Sequence, residues 1–300
     1  LRVLVTGNRG MLVQDLVPVL KGCGYDVHCA DREDLDISQE EHVHRAVESC
    51  LPKLLINCAA YTEVDNAETQ KDRAFAVNRD GAGFLAEACA KLEIPVIHLS
   101  TDYVFDGDKR SPYLEDDPVN PLSIYGLSKW EGEQAIRSRT DQHIIIRTSW
   151  LFGCHGRNFV KTIIAMAREK DELRVVSDQE GCPTWTGHMS NALALLAGEI
   201  LRNKKAVPWG TYHYCGVGNT TWYDFALRIT EEAKKRAEIR TVRVKPIRTS
   251  EFPTPAKRPA WSVLDCAKIE RTFQIRPRPW LEGLLKVLDT LLGENPPKVN

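Results

Sequence analysis

Short apolar runs alternate with amphipathic helical segments through the first half of this 300-residue chain, and that alternation leaves few folds open. The runs at residues 1–6, 25–29, 53–58, 95–100 and 143–148 are largely continuous rather than alternating, as in strands covered on both faces. Between them, residues 10–20, 40–50, 69–92 and 123–139 read as helices, with Leu12, Leu16 and Leu20 at helical spacing in the first. This order predicts an α/β fold of Rossmann type, a doubly wound parallel sheet with helices on both sides.

The second half is less regular. Helices are expected over residues 158–170, 188–203, 221–235 and 280–292, and short strands over 211–215 and 241–246. Prolines crowd residues 246–259 and 277–279, which predicts loops. The reading is a dinucleotide-binding domain over residues 1–150 and a smaller α+β substrate-binding domain over 151–300, some of whose elements rejoin the first sheet.

Charge and cysteine usage remove several function classes. Lys and Arg total 40 against 41 Asp and Glu, so neither nucleic acid nor an anionic membrane is expected as a partner. No apolar run approaches the roughly 18 residues of a membrane span. The first strand enters a glycine turn directly, leaving no room for a signal peptide, so a cytoplasmic protein is expected. The nine cysteines are scattered with no CxxC pair, which predicts reduced thiols and no metal site.

Gly7-Asn8-Arg9-Gly10 joins the first strand to the first helix, where backbone N–H groups and a helix N-terminus can meet a pyrophosphate. Gly7 permits the tight turn and Gly10 a close backbone approach. Val13 stands where a third glycine is usual, so the helix is expected slightly off the sheet. After the second strand, Asp31 suits ribose hydroxyls and Arg32 suits a 2′-phosphate, which leaves NADH and NADPH both open. Asp36 and Ile37 are placed near the adenine.

Tyr125-Gly126-Leu127-Ser128-Lys129 sets a phenol and an amine at i and i+4, on one face of a helix. An ammonium beside a phenol lowers its pKa and suits it to proton transfer. The pair follows Ser100-Thr101-Asp102-Tyr103-Val104-Phe105-Asp106-Gly107, a polar cluster at a strand end, where ligands bind in open α/β sheets. His98, on the same apolar strand, reads as a packed core histidine.

These runs resemble the dTDP-4-dehydrorhamnose reductase family of extended short-chain dehydrogenases. The resemblance extends through Asn57-Cys58-Ala59-Ala60-Tyr61-Thr62-Glu63-Val64-Asp65, Arg147-Thr148-Ser149-Trp150, Asp178-Gln179-Glu180-Gly181-Cys182-Pro183-Thr184 and Arg258-Pro259-Ala260-Trp261-Ser262. It implies NAD(P)H-dependent reduction of the C4 ketone of a nucleotide-linked 6-deoxy sugar. It further implies that Gly10, Met11 and Leu12 line the pyrophosphate and that Ala59, Ala60, Tyr61 and Thr62 border the cofactor. Thr101 would orient the sugar carbonyl, Tyr125 deliver the proton, and Lys129 bind the nicotinamide ribose and tune Tyr125. Asp102, Tyr103 and Trp150 would contact the nucleotide-sugar, Trp150 having core packing as its alternative. Arg258 would meet the diphosphate or form a surface salt bridge. Some members of the family hold magnesium at a dimer contact. Asp15 resembles one ligand position there, but Gly187 occupies another, so no metal is expected; a homodimer is admitted.

Two other functions fit parts of the pattern. Regulatory β subunits of methionine adenosyltransferase are similar to these reductases and bind a dinucleotide without catalysis, but this chain keeps Thr101, Tyr125 and Lys129. Nucleotide-sugar epimerases and dehydratases share the fold. A 4,6-dehydratase wants an acidic pair after the strand-end Thr, and only Asp102 is present here, followed by Tyr103.

Overall fold

The computed structural model describes residues 1–30 and 32–293. In chain order, the first half comprises β1 (Arg2–Thr6), α1 (Met11–Gly22), β2 (Asp26–Ala30), α2 (Glu40–Cys50), β3 (Leu54–Asn57), α3 (Val64–Ala67), α4 (Lys71–Phe75), α5 (Ala82–Lys91), β4 (Val96–Thr101), α6 (Ile124–Arg137) and β5 (His143–Thr148). The second half comprises β6 (Leu151–Phe152), α7 (Phe159–Glu169), β7 (Glu172–Val176), β8 (Glu180–Gly181), β9 (Thr184–Trp185), α8 (Thr186–Arg202), β10 (Gly210–His213), β11 (Thr220–Thr221), α9 (Trp222–Lys234), β12 (Arg243–Ile247), α10 (Ala267–Phe273) and α11 (Trp280–Leu292).

Six strands form one parallel sheet in the order β2-β1-β3-β4-β5-β10, so the expected doubly wound α/β fold is present. The chain leaves β1 toward β2 on one side and returns to β3 on the other. That reversal opens a crevice at the C-terminal ends of β1 and β3. The strand β10, from the second half of the chain, completes the far edge.

Alternate residues of each strand build two cores, as the period-2 geometry requires. Val3, Val5, Leu54, Ile56, Ile97, Leu99, Ile144 and Ile146 pack under α1 and α8. Leu4, Leu55 and Val96 pack against α2 and α5, and Ile145 against Ile136 of α6. Val13 is 1% exposed in the first of these cores, so its side chain fills the interface between α1 and the sheet. Leu12 and Ile37 are also core residues, so what they turn toward the interior is side chain.

Helix α6 lies over the second face through a polar stripe. Glu133 is fully buried, accepts from Arg147 Nε at 2.9 Å and Nη2 at 2.8 Å, and takes Ser100 Oγ at 2.5 Å and Arg137 at 2.8 Å. The helix can approach because Gly126 has no side chain: a Cβ there would come within 2.2 Å of the Tyr103 carbonyl oxygen.

Elsewhere the sequence expectations need correction: α10 and the two-residue strands β6, β8, β9 and β11 were not expected, and two further departures bear on the packing. The helix expected over residues 69–92 is interrupted by a π-helical turn at Ala76–Gly81. This turn aims Asn78 at Tyr61, whose backbone N–H and C=O it binds at 2.8 and 3.1 Å. The strand β7 was not expected; it pairs in parallel with β12 beside the second-half core of Phe152, Val160, Ile163, Phe225, Leu284 and Leu288. Its burial alternates, and only Leu173 and Val175 mark it. No helix among the described residues is long and apolar enough to cross a membrane.

Removing one partner of a buried ion pair leaves the other charge unpaired. Glu133→Ala is therefore expected to destabilise the fold by about 3–5 kcal/mol, measured as a lowered midpoint in urea titration. A midpoint within error of the parent would remove this pair from the account of how α6 is held.

Candidate active site

The sites expected from sequence converge at the crevice formed by the ends of β1, β3, β4 and β5. Gly7 has φ +81, and a Cβ on it would stand 3.0 Å from the backbone N and Cα of Ala59. Glycine thus allows the β1 turn to lie against the end of β3. Gly10 begins α1 with no side-chain cap, and Met11 opens the first turn. An uncapped N-terminus in this position suits a diphosphate. Arg9 pairs with Glu33 at 2.9 Å, and Arg32 reaches Asp36 at 3.4 Å. Asp36 also binds the Ser38 N–H and hydroxyl at 3.1 and 2.7 Å, so part of its capacity is used in its own turn. Asp31 lies outside the described residues. Ala60 is half-buried, Tyr61 is buried, and Thr62 is exposed.

At the end of β4, Thr101 and Asp102 are 5% and 2% exposed. Thr101 Oγ1 donates to Asp102 Oδ1 at 3.1 Å and accepts the Tyr103 N–H at 3.2 Å. Tyr125 faces Thr101 and meets Tyr103 edge-to-face, with ring centroids 5.5 Å apart. Burial pushes the Tyr125 phenol up, to about 12; the Thr101 contact opposes this. The direction is opposite to the lowering expected from a neighbouring ammonium. The Lys129 amine is instead engaged by β4: it donates to the Leu99 carbonyl at 2.6 Å and lies 3.2 Å from His98 Nε2. Burial in turn pushes Lys129 down, to about 8.

Burial raises the Asp102 carboxyl to about 7, while Ser262 and Thr101 beside it pull the other way. Its Oδ2 is buried without a hydrogen-bond partner. Ser262, 2% exposed, was quoted in a motif but given no role by sequence; only its neighbours in space reveal it. A Cβ on Gly181 would lie 2.8 Å from Ser262 Oγ and 2.6 Å from the Trp150 ring, so the tryptophan stands next to this group. Trp150 has φ +47, unusual for a bulky residue, and stacks on Trp222 with centroids 3.4 Å apart. It joins the crevice to the second-half core. Arg258 is held by Asp65 through contacts of 2.8 and 3.0 Å and also meets Tyr103. Of its two sequence readings, the salt bridge is present, at the edge of the site. Away from the crevice, Glu40, His44 and Glu87 form one group of metal-type ligand atoms among the described residues, with Lys91 at 3.0 Å from Glu87. Asp15 bonds the Thr186 hydroxyl and lies 3.5 Å from His155.

Residues 1–292 match the family model described as RmlD substrate binding domain. The dTDP-4-dehydrorhamnose reductase of Aggregatibacter actinomycetemcomitans is 42% identical over 288 residues, 95% of this chain and 98% of that protein. The chain belongs to this reductase family. The solved dTDP-4-dehydrorhamnose reductase of Clostridium acetobutylicum superposes with a TM-score of 0.89 at 38% identity, covering 97% of this chain and 99% of that one. A Bacillus anthracis reductase of the family, solved in complex with NADP, gives 0.87 at 35% identity over 95% of this chain and 98% of its own.

The raised Asp102 carboxyl has a consequence for stability. A group whose folded pKa exceeds its unfolded value favours folding below the unfolded value and loses that contribution as pH rises through the folded one. Asp102→Asn removes the loss. Its melting temperature is expected to exceed the parent's by a few degrees at pH 8 and to match it near pH 4. An equal offset at both pH values would show that the carboxyl does not titrate with folding.

Proposed function

We propose that this chain reduces the C4 ketone of a nucleotide-linked 6-deoxy sugar, converting dTDP-4-dehydro-L-rhamnose to dTDP-L-rhamnose with NADPH or NADH. The observation that carries the reading is the alignment of Tyr125, Thr101 and Asp102 at the end of β4, with Lys129 one helical turn behind the phenol. Asp102 Oδ2 is a buried polar atom without a hydrogen-bond partner, and Trp150 lies beside Ser262, which neighbours it.

The chemistry asks for a proton at the oxygen on which negative charge develops. A phenol whose pKa is raised to about 12 remains protonated at neutral pH and so has its proton available. Thr101, anchored on the Tyr103 N–H, orients the carbonyl oxygen toward that phenol. Asp102, neutral below about pH 7, offers an O–H to a sugar oxygen; above that pH it can only accept. Trp150 and Tyr103 bound the sugar, and Arg258, already paired with Asp65, closes the nucleotide side.

Gly7, Arg9, Gly10, Met11, Leu12, Arg32, Asp36, Ile37 and residues 59–62 would hold the dinucleotide, Leu12 and Ile37 through backbone or packing since their side chains are core. When bound, that cofactor supplies the hydride. The uncapped α1 terminus and the glycine at the crevice fit it. The NADP complex of the Bacillus anthracis relative supports NADPH, with Arg32 suited to a 2′-phosphate.

Tyr125→Phe keeps the ring and removes the proton. Reduction of dTDP-4-dehydro-L-rhamnose, followed as NADPH oxidation with the sugar product identified by NMR, is expected to slow by about 10²–10⁴-fold. Binding of NADPH, measured by titration calorimetry, is expected to persist. Turnover near that of the parent would remove Tyr125 from proton delivery.

A further inference from the structure

Thr6, Asn57 and His98 stand opposite one another on β1, β3 and β4, in the register Thr6↔Asn57 and Asn57↔His98. Each is 1% exposed. Together they form a polar row across three strands of the sheet, and the row ends at Lys129. Packing alone does not account for it, because each buried polar group needs a defined partner.

Donor and acceptor roles along the row can be assigned in order. Thr6 Oγ1 donates to Asn57 Oδ1 at 2.6 Å, and the Ala59 N–H donates to the same oxygen at 3.1 Å. Turning the amide over would set its NH₂ group against that N–H. Asn57 Nδ2 therefore points at His98 Nδ1, 2.9 Å away, and donates to it. A ring nitrogen that accepts carries no proton, so a neutral imidazole has its proton on Nε2. Burial holds His98 neutral. Nε2 lies 3.2 Å from Lys129 Nζ. Two donors facing each other repel; a donor facing a neutral amine forms a hydrogen bond.

We propose that Asn57 fixes His98 as the Nε2–H tautomer, and that this N–H, facing Lys129 Nζ, makes both residues positioning residues that disfavour the ammonium form of Lys129 in the free enzyme. The amine then donates to the Leu99 carbonyl and accepts from His98, so its direction is fixed from two sides. Of the other groups around it, Glu133 acts the other way and favours the ammonium. Cys58, after β3, has its thiol pushed up to about 12 and carries no charge. Glu133, one turn further along α6, is engaged by Arg147 and Arg137. Tyr125, one turn earlier, is a protonated phenol. An amide cannot pass a proton on, so the row is a lock and not a conduit. Resting on the reductase reading, the row sets where the Lys129 amine stands before a cofactor enters.

The test reads the free, full-length chain labelled with ¹⁵N-histidine and ¹³Cε-lysine. His98 and Lys129 are assigned by loss of their signals in His98→Gln and Lys129→Arg. In the parent, His98 is expected to be protonated at Nε2. Lys129 is expected to titrate at least about one pH unit below exposed lysines. Asn57→Asp is isosteric and gives His98 Nδ1 an acceptor. It is expected to move the proton to Nδ1 and to raise the Lys129 midpoint by about one pH unit or more. A parent protonated at Nδ1 overturns the proposal on the parent protein alone, whether or not the variant folds. So does an inverted tautomer that leaves the Lys129 midpoint in place. Both signals are independent of turnover, so failure here and failure to reduce the keto sugar are separate results.

Discussion

Helix α6 meets the sheet through charge and hydrogen bonding as well as through apolar packing. Tyr125, Lys129, Glu133 and Arg137 recur every four residues and present one stripe to β4 and β5. Under Lys129 lies His98, and under Glu133 lie Ser100 and Arg147, which are themselves register partners. A purely apolar interface would allow the helix to slide or rotate with small loss. This interface does not, because a shift of one residue would strand a buried carboxylate and a buried guanidinium. Buried ion pairs contribute little net stability against an apolar alternative. What this pair supplies is a fixed helix position, and the placement of Tyr125 follows from it.

The same stripe divides the two ends of the helix between scaffold and chemistry. Glu133 and Arg137 face the middle of the sheet, where their charges are mutually neutralised. Tyr125 emerges at the strand ends, only partly buried, against Tyr103 and Thr101. Gly126 makes this exit close: the Tyr103 carbonyl occupies the space of its missing side chain. Between the two ends, Lys129 is 2% exposed and takes its partners from β4 alone. Catalytic geometry of this kind relies on side chains held by rigid elements, with their own partners satisfied.

The alternation of apolar strands and helices made the first half of the fold legible, since β1, β3, β4 and β5 are largely buried on both faces and read as continuous apolar runs, β2 being the partly exposed edge. The strand β7 was lost because alternate positions Glu172 and Arg174 face solvent and a five-residue alternating segment is easily taken for loop. The π-helical turn was lost because its cause, Asn78 binding the backbone of Tyr61, is a contact between distant segments. In the site, Thr101, Asp102 and Tyr125 were legible as a strand end followed by a helix start. Ser262 was not: its place beside Asp102 depends on a bridge between Glu180 and Trp261 that sequence spacing does not encode. The expected coupling of Lys129 to Tyr125 also missed what register decides. Helical spacing brings the two side chains to one face, but His98 and the Leu99 carbonyl lie on β4 directly beneath the amine.

The second half of the chain reaches the site through few residues, and Trp150 is the one that constrains them. It follows β5 in a left-handed conformation that costs a bulky residue of order 1–3 kcal/mol. Stacking on Trp222 and the close approach of Gly181 hold it there. Gly181 can be replaced by nothing larger, since its missing side chain is the space between Trp150 and Ser262. Ser262 in turn touches Asp102. The indole therefore transmits the position of the second-half core to the carboxyl group at the end of β4. A backbone strain at the junction of the two halves and a raised carboxyl pKa at the end of β4 belong to one packed unit, and neither would persist if the two halves met through a loose, hydrated interface.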